Sequence, residues 1–335
     1  MFNMVKGIGL MNLTLKQLEM ITHGATCLEE REGGIYFWRM TPEQIQYYVD
    51  LQDEPLVRGA KQSAGVRLAF LTDSKTLSFS AALWPDHSGI FGGFDVYENG
   101  VMIEHVKTEG LPEWNAEVTL SAGESAVEIY FPWSKGVMLT SLCIDDGASL
   151  KPYRRSRKFL AFGDSITHGA TAQYPSLTYV QRLARMLDAD LENRGVGGDV
   201  FTSAIAALEP CNDPDIVTVA YGTNDWSWRT GERFDRECPA TLEVLAKKYA
   251  NAKIFVITPI WRKDWEREAM SGKTFRDVCR EIRAYAEAYP NVTVIDAWNF
   301  VPHLSAFFAD GQLHPNDLGM GIYAERLYCE IIKNL

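Results

Sequence analysis

Paired cysteines are what this sequence lacks first. Cys27, Cys143, Cys211, Cys238, Cys279 and Cys329 are scattered over 335 residues without a C-x-x-C among them. Neither a zinc cluster nor a disulfide framework is expected from that spacing. Long apolar runs are missing too: none approaches 18 residues, and the first twenty residues hold no continuous apolar stretch of the signal-peptide kind. The expectation is a soluble, unexported chain, cytoplasmic and without a membrane partner. Positive charge is scarce, with 33 Lys and Arg against 44 Asp and Glu and a net charge of -11. Phosphate binding draws on clustered cations, so a nucleic-acid partner is not expected. The one basic cluster, Lys151, Arg154, Arg155, Arg157 and Lys158, reads as a solvated linker.

Missing motifs narrow the chemistry further. There is no G-x-S-x-G and no H-E-x-x-H, which removes the ordinary α/β-hydrolase and zinc-protease readings. Ser271-Gly272-Lys273-Thr274 resembles the end of a P-loop, but the glycine required upstream is Arg267, so the stretch reads as a helix start. No metal and no organic cofactor is implied.

What is present is enough apolar material, 46% hydrophobic and 12% aromatic, for a large core in one big unit or two ordinary ones. Two domains are expected, 1–150 and 151–335. Residues 15–144 are mostly strand-like, as in 34–40, 65–71, 76–82, 100–106, 116–120 and 126–131. Turn signals at Asp73-Ser74, Pro85-Asp86, Gly92-Gly93, Asn99-Gly100 and 121–123 separate them, and one early helix fits 15–21. Many short, evenly spaced strands predict an antiparallel β-sandwich or jelly roll. Asn99-Gly100 is a type I′ hairpin candidate.

Beyond the polar stretch 148–158 the pattern changes. Apolar runs at 159–162, 191–196, 216–221, 254–259 and 292–297 are each followed by a helical pattern. That alternation predicts an α/β fold with a flavodoxin-like, doubly wound parallel sheet of five strands. Ligands of such sheets sit at the carboxyl ends of the strands.

The polar motifs fall at those ends. The run 158–169, KFLAFGDSITHG, reads as a strand, a turn and a helix start with Ser165 at the tip. A serine there has an exposed hydroxyl, and its N–H lies near a helix N-terminus, where negative charge is favoured; taken alone, the same residues also describe a capped turn. Gly198, in Val196-Gly197-Gly198-Asp199, lets a bare backbone N–H approach a substrate. Asn224, in Gly222-Thr223-Asn224-Asp225, is either an ordinary turn residue or an amide aimed at an oxyanion. His314 has Asp310 four residues upstream and Pro315 after it, which holds it on a loop; a histidine oriented by a carboxylate is the base a serine needs.

Taken in order, these four blocks resemble the SGNH, or GDSL-type, hydrolases over about residues 158–335. The family is named for Ser, Gly, Asn and His, matched by Ser165, Gly198, Asn224 and His314. The resemblance implies a covalent serine mechanism in which Ser165 attacks, His314 transfers the proton and Asp310 orients it. The oxyanion would rest on the N–H groups of Ser165 and Gly198 and on the Asn224 amide. One departure is the spacing: Gly311, Gln312 and Leu313 make three residues between acid and histidine where the family has two. Orientation of His314 by a main-chain carbonyl is the alternative to Asp310.

Gly93-Phe94-Asp95-Val96-Tyr97 is similar to the GxDLY motif of the β-rich domain that precedes some bacterial SGNH hydrolases. That layout resembles two-domain carbohydrate esterases and implies a short acyl group, acetyl-like, on a carbohydrate or other small alcohol as substrate. His168, Trp226 and Trp261 are candidates for the substrate pocket, with core packing as the competing role. An acyltransferase using the same serine, and a glycan-binding protein whose second half is a scaffold, are the rival functions; self-association is left open.

Overall fold

The computed structural model describes residues 9–83, 93–107 and 113–335. The expected turns at Pro85-Asp86 and at Gly92 lie outside them. In chain order the N-terminal part contains β1 (Leu10–Asn12), α1 (Leu15–Ile21), β2 (Thr22–His23), β3 (Cys27–Arg31), β4 (Gly34–Trp38), α2 (Pro42–Asp50) and α3 (Glu54–Lys61). It continues with β5 (Arg67–Thr72), β6 (Thr76–Leu83), β7 (Gly93–Glu98), β8 (Val101–Lys107), β9 (Glu113–Thr119), β10 (Ser125–Tyr130) and β11 (Val137–Asp145). The strands form two antiparallel sheets. One has the order β3-β4-β11-β6-β9 with β1 beside β11, and the other runs from β5 through β10 and β7 to β8.

Alternation builds the core between these sheets. Along β6 every second residue is buried, and Leu77, Phe79, Ala81 and Leu83 meet Phe94 and Val96 of β7 and Val127 and Ile129 of β10. A fully buried Phe or Leu contributes about 1.5–3 kcal/mol relative to exposure. The β7–β8 hairpin turns as expected, with Asn99 at φ 51° and Gly100 at φ 80°. Strand β7 is buried on both faces. Asp95, on the face opposite Phe94, accepts the Ser176 N–H at 2.8 Å and pairs with His105 at 2.6 Å, while the Tyr97 and Ser176 hydroxyls meet at 3.0 Å. The GFDVY stretch is therefore a bolt between the sheets and the α/β part.

Two helices went unread in the sequence. Helix α2 begins with a capping box, Thr41 with Gln44, and with Pro42 in its first turn; α3 is capped by Asp53. They leave the β-rich layer and pack towards the α/β part.

That part holds β12 (Lys151–Pro152), β13 (Arg157–Gly163), α4 (Ser165–His168), α5 (Tyr179–Met186), β14 (Ala189–Asn193), α6 (Ser203–Leu208), β15 (Ile216–Ala220), α7 (Thr223–Trp228), α8 (Gly231–Lys248), β16 (Lys253–Ile257), α9 (Phe275–Ala286), β17 (Val292–Ile295) and α10 (Asp317–Ile332). β12 adds to the edge of β5, and β13–β17 form one parallel sheet ordered β14-β13-β15-β16-β17. This is the flavodoxin-like order, with its switch point between β13 and β15. Apolar clusters cover both faces of the sheet.

The basic cluster at 151–158 is not a free linker. Arg155 is buried against Glu128, which also holds Arg67 at 3.0 Å, and Arg67 reaches across to Asp190 on β14. Each of these cations and carboxylates is desolvated, so each needs its partner in place. Gly65 stands beside this seam at φ 86°, its carbonyl accepting Gln181 Nε2 at 3.1 Å, and a Cβ there would lie 2.5 Å from Asn193 Cβ. Gly65→Ala is expected to destabilise the chain by about 2–4 kcal/mol in equilibrium urea unfolding, from backbone strain plus overpacking. Gly123, also at positive φ but with nothing within 4 Å of an added Cβ, is expected to lose only about 1 kcal/mol on the same substitution.

Candidate active site

The four blocks converge at the carboxyl ends of β13 and β15, at the switch point of the sheet. β13 ends at Gly163, where a Cβ would collide with the Thr167 hydroxyl and the Ala220 carbonyl. Only a bare Cα lets the chain turn there into α4. Asp164 caps that helix through the Ile166 N–H at 3.0 Å, which leaves Ser165 as its first residue. The Ser165 Oγ lies 2.9 Å from His314 Nε2, and His314 Nδ1 lies 2.8 Å from Asp310 Oδ2. The side chains of His314 and Asp310 are 24% and 30% exposed, so the row opens to solvent.

The extra residue between acid and histidine is absorbed by a tight turn. Asp310 Oδ1 accepts the N–H groups of Gln312, Leu313 and His314 at 2.9, 2.8 and 3.1 Å. Its other oxygen is thereby aimed at the imidazole, and the carboxylate rather than a main-chain carbonyl is the group on Nδ1. A bridge between Phe308 and Pro315 closes the loop, and the Thr171 hydroxyl donates to the Pro315 carbonyl. Partial burial pushes the Asp310 carboxyl up, but the His314 hydrogen bond and the N–H groups of Leu313 and Gln312 hold it well below the usual range.

The glycine loop, residues 195–200, lies against Ser165. A Cβ on Gly197 would stand 3.9 Å from Ser165 Cβ, and Gly198 has φ 87°. Asn224, buried at the start of α7, donates through Nδ2 to the Asp199 carbonyl at 2.9 Å. Its amide therefore lies beside the glycine loop.

The pocket candidates divide. His168 is interior: its Nδ1 accepts the Gly197 N–H at 3.1 Å and its Nε2 donates to the Trp133 carbonyl at 3.0 Å. Burial, with the Arg39 charge nearby, pulls it down to about 3 despite the Trp133 bond. It braces the glycine loop as a neutral ring. Trp226 is also interior, with its indole N–H on the Lys273 carbonyl and the Arg262 and Arg267 guanidiniums over its ring. Its size and its satisfied N–H suit core packing, which corrects the pocket assignment for both residues. Trp261 is half-buried, stacks on His303 at 5.0 Å and lies 5.4 Å from Phe308, beside the loop that carries His314.

Residues missed in the sequence reading cluster behind the glycine loop. Arg39 donates to the carbonyls of Gln62, Gly59 and Asn193 at 2.8, 2.6 and 2.8 Å, and Tyr48 O–H donates to Asp199. Their partners are far away in the chain, so no local spacing announced them. Among the described residues no group of three or more His, Cys, Asp or Glu is arranged to hold a metal ion.

Residues 161–322 match the GDSL-like Lipase/Acylhydrolase family. No curated protein matches the chain. Among solved structures, a salicylyl-acyltransferase from a tetracycline biosynthetic pathway superposes with a TM-score of 0.80 at 23% identity, covering 93% of this chain and 94% of its own. A putative GDSL-like lipase from Bacteroides ovatus gives 0.78 at 18% identity, covering 97% and 98%. A family two carbohydrate esterase from Cellvibrio japonicus gives 0.69 at 16% identity, again covering 97% and 98%. At these identities the likeness is one of fold, and it extends over the β-rich part as well as the parallel sheet.

Three buried carboxyls, Asp164, Asp199 and Asp225, lie beneath the site. Burial pushes Asp225 up to about 7, against the opposing pull of Arg233 and of the Phe201 N–H. A carboxyl whose folded value lies above its unfolded value of about 3.9 opposes folding once it ionises, and that cost fades as pH falls through 7 towards 4. Asp225→Asn is therefore expected to stabilise the chain more at pH 8 than at pH 5, read from unfolding midpoints at the two pH values.

Proposed function

We propose, from the match of residues 161–322 to the GDSL-like Lipase/Acylhydrolase family, that this chain is a carboxylic ester hydrolase that cleaves a short-chain, acetyl-like ester of a carbohydrate or other small alcohol through a serine acyl-enzyme. The observation that carries the proposal is the unbroken row from Ser165 Oγ to His314 Nε2 and from Nδ1 to Asp310, open to solvent at its end. His314 takes the Ser165 proton as Oγ attacks the ester carbonyl and returns it to the departing alkoxide; water then repeats the sequence on the acyl-enzyme. Asp310 stabilises the imidazolium that forms in both halves. The N–H groups of Ser165 and Gly198 and the second Nδ2 hydrogen of Asn224 receive the oxyanion.

The proposed substrate class draws on the fold shared with carbohydrate esterases and on the half-buried Trp261, whose face suits a sugar ring or an apolar group beside the His314 loop. The proposal also divides the chain near residue 150 into a jelly-roll unit and the catalytic unit. Acyl transfer is the second reading, favoured by the shared fold of the salicylyl-acyltransferase, and it uses the same intermediate with an alcohol in place of water.

With p-nitrophenyl acetate, Ser165→Ala is expected to lower kcat by at least about a thousandfold, and Asn224→Ala by roughly a hundredfold to a thousandfold. Equal turnover by wild type and Ser165→Ala would refute the nucleophile. Ester exchange onto an added alcohol that outruns release of free acid would favour transfer over hydrolysis. Acetylated sugars then test the alcohol.

A further inference from the structure

Helices α2 and α3 close over the back of the glycine loop. Leu56 Cδ2 lies 3.7 Å from where a Cβ on Gly198 would stand, and a Cβ on Gly59 would stand 3.0 Å from Val196 Cγ1. From α2, the Tyr48 hydroxyl donates to Asp199 Oδ2 at 2.9 Å across 151 residues of sequence, and the Tyr221 hydroxyl, at the end of β15, reaches the same oxygen at 3.4 Å. The carbonyl of that same Asp199 accepts Nδ2 of Asn224. All four residues are buried. Gln44, one turn before Tyr48, anchors α2 through Glu209 at 2.6 Å, and Glu209 is held in turn by Arg194 at 2.8 Å.

We propose that Tyr48 is a positioning residue for the oxyanion-binding amide: its hydroxyl fixes Asp199, and the Asp199 carbonyl fixes the plane of Asn224. The inference rests on the role proposed for Asn224 and adds to it a residue from the N-terminal part. Two glycines, Gly197 and Gly198, precede Asp199, so the intrinsic preference of the backbone does not set where its peptide points. The side chain sets it. In a dry site a carboxyl that loses a donor turns to find another, and a loop this compliant follows. The Asn224 amide then loses its acceptor and is free to rotate. One of its Nδ2 hydrogens is engaged by Asp199, and that bond directs the other towards the position where charge develops. Ground-state ester binding does not use this geometry, so the effect falls on kcat rather than KM. Burial pushes the Asp199 carboxyl up to about 6, while the Val200 N–H and the Tyr48 hydroxyl pull it down, so the Tyr48 bond also favours the ionised form that holds this arrangement.

The test is a double-mutant cycle on the full chain with p-nitrophenyl acetate. Tyr48→Phe removes a single oxygen and is expected to lower kcat about tenfold with little change in KM. In an Asn224→Ala background the same substitution is expected to change kcat less than about twofold, because the group it positions is gone. Tyr47→Phe, next to it on α2, is expected to keep wild-type kcat. A wild-type kcat for Tyr48→Phe overturns the proposal, as does an equal loss in both backgrounds, which marks a structural contribution unrelated to Asn224. If circular dichroism shows Tyr48→Phe unfolded, Tyr221→Phe carries the same cycle on the same carboxylate oxygen, with the same two outcomes. Full activity in Ser165→Ala or in Asn224→Ala sinks the esterase or oxyanion assignment itself; loss of activity in both, beside an unaffected Tyr48→Phe, sinks only this inference.

Discussion

The loop 195–200 is exposed at Gly198 and half-buried at Gly197, but its other residues are buried where water does not reach their backbone groups, and the active site depends on how those groups are met. The loop carries three glycines and little side-chain surface of its own, so its polar groups are answered by neighbours. His168 accepts the Gly197 N–H, Asn193 accepts the Gly195 N–H at 2.8 Å, Val196 donates to the Gly163 carbonyl, and Asp199 is held through Tyr48 and Tyr221. An unmet group there would cost about 1–3 kcal/mol, and the loop would have alternatives of similar energy. With the groups met, it has one arrangement.

The same requirement explains why polar contacts join the N-terminal part to the parallel sheet beside the apolar packing of Met40, Leu56 and Ala60 on Val196 and Ile205. An apolar join would leave the ends of β13 and β14 and the loops beyond them with unanswered carbonyls. Arg39 instead spends its guanidinium on three carbonyls, one of them on Asn193. Burial and the nearby Arg194 pull that guanidinium down to about 9, which still leaves it charged at neutral pH. Further along the seam Arg67 joins Glu128 to Asp190, and Asp95 takes the Ser176 N–H. Buried charges paired this way contribute little net stability, but removing one partner strands the other, so the join is specific to one register.

Most of the α/β part was legible because its signals are local. Four of the five strands carry a short apolar run while β14, Ala189–Asn193, alternates buried and half-buried residues, and each strand is followed by a capped or amphipathic helix, across a longer loop after β16 and β17. Ser165, Gly198, Asn224 and His314 could be read because the strand ends were recognised first. Local logic also resolves the acid: an aspartate followed by Gly311 can fold its carboxylate back onto the next N–H groups, so the spacing to His314 is set by the turn. Helices α2 and α3 were missed although Thr41, Pro42, Gln44 and Asp53 mark their starts, because the strand-rich surroundings outweighed two caps. Tyr48 and Arg39 were beyond reach. Their roles depend on residues some 150 positions away, which neither periodicity nor motif spacing encodes.

His168 and His314 show how far environment overrides residue type. Both lie near the nucleophile: His168 ends the short helix that Ser165 begins, and His314 meets the Ser165 hydroxyl. His168 follows Ser165 by three residues and is the nearer of the two in sequence. Yet its Nδ1 is occupied as an acceptor and its Nε2–H is spent on a carbonyl, in a buried site that disfavours charge. Taking a proton there would break the Gly197 bond and place an unpaired cation near Arg39. His314 is partly solvated, has a carboxylate on Nδ1 and presents Nε2 to the serine hydroxyl. It can gain a proton at Nε2 without giving up a bond. Of two histidines beside one serine, only the one whose protonation strengthens an existing contact is suited to be the base, and the other is suited to hold the loop still.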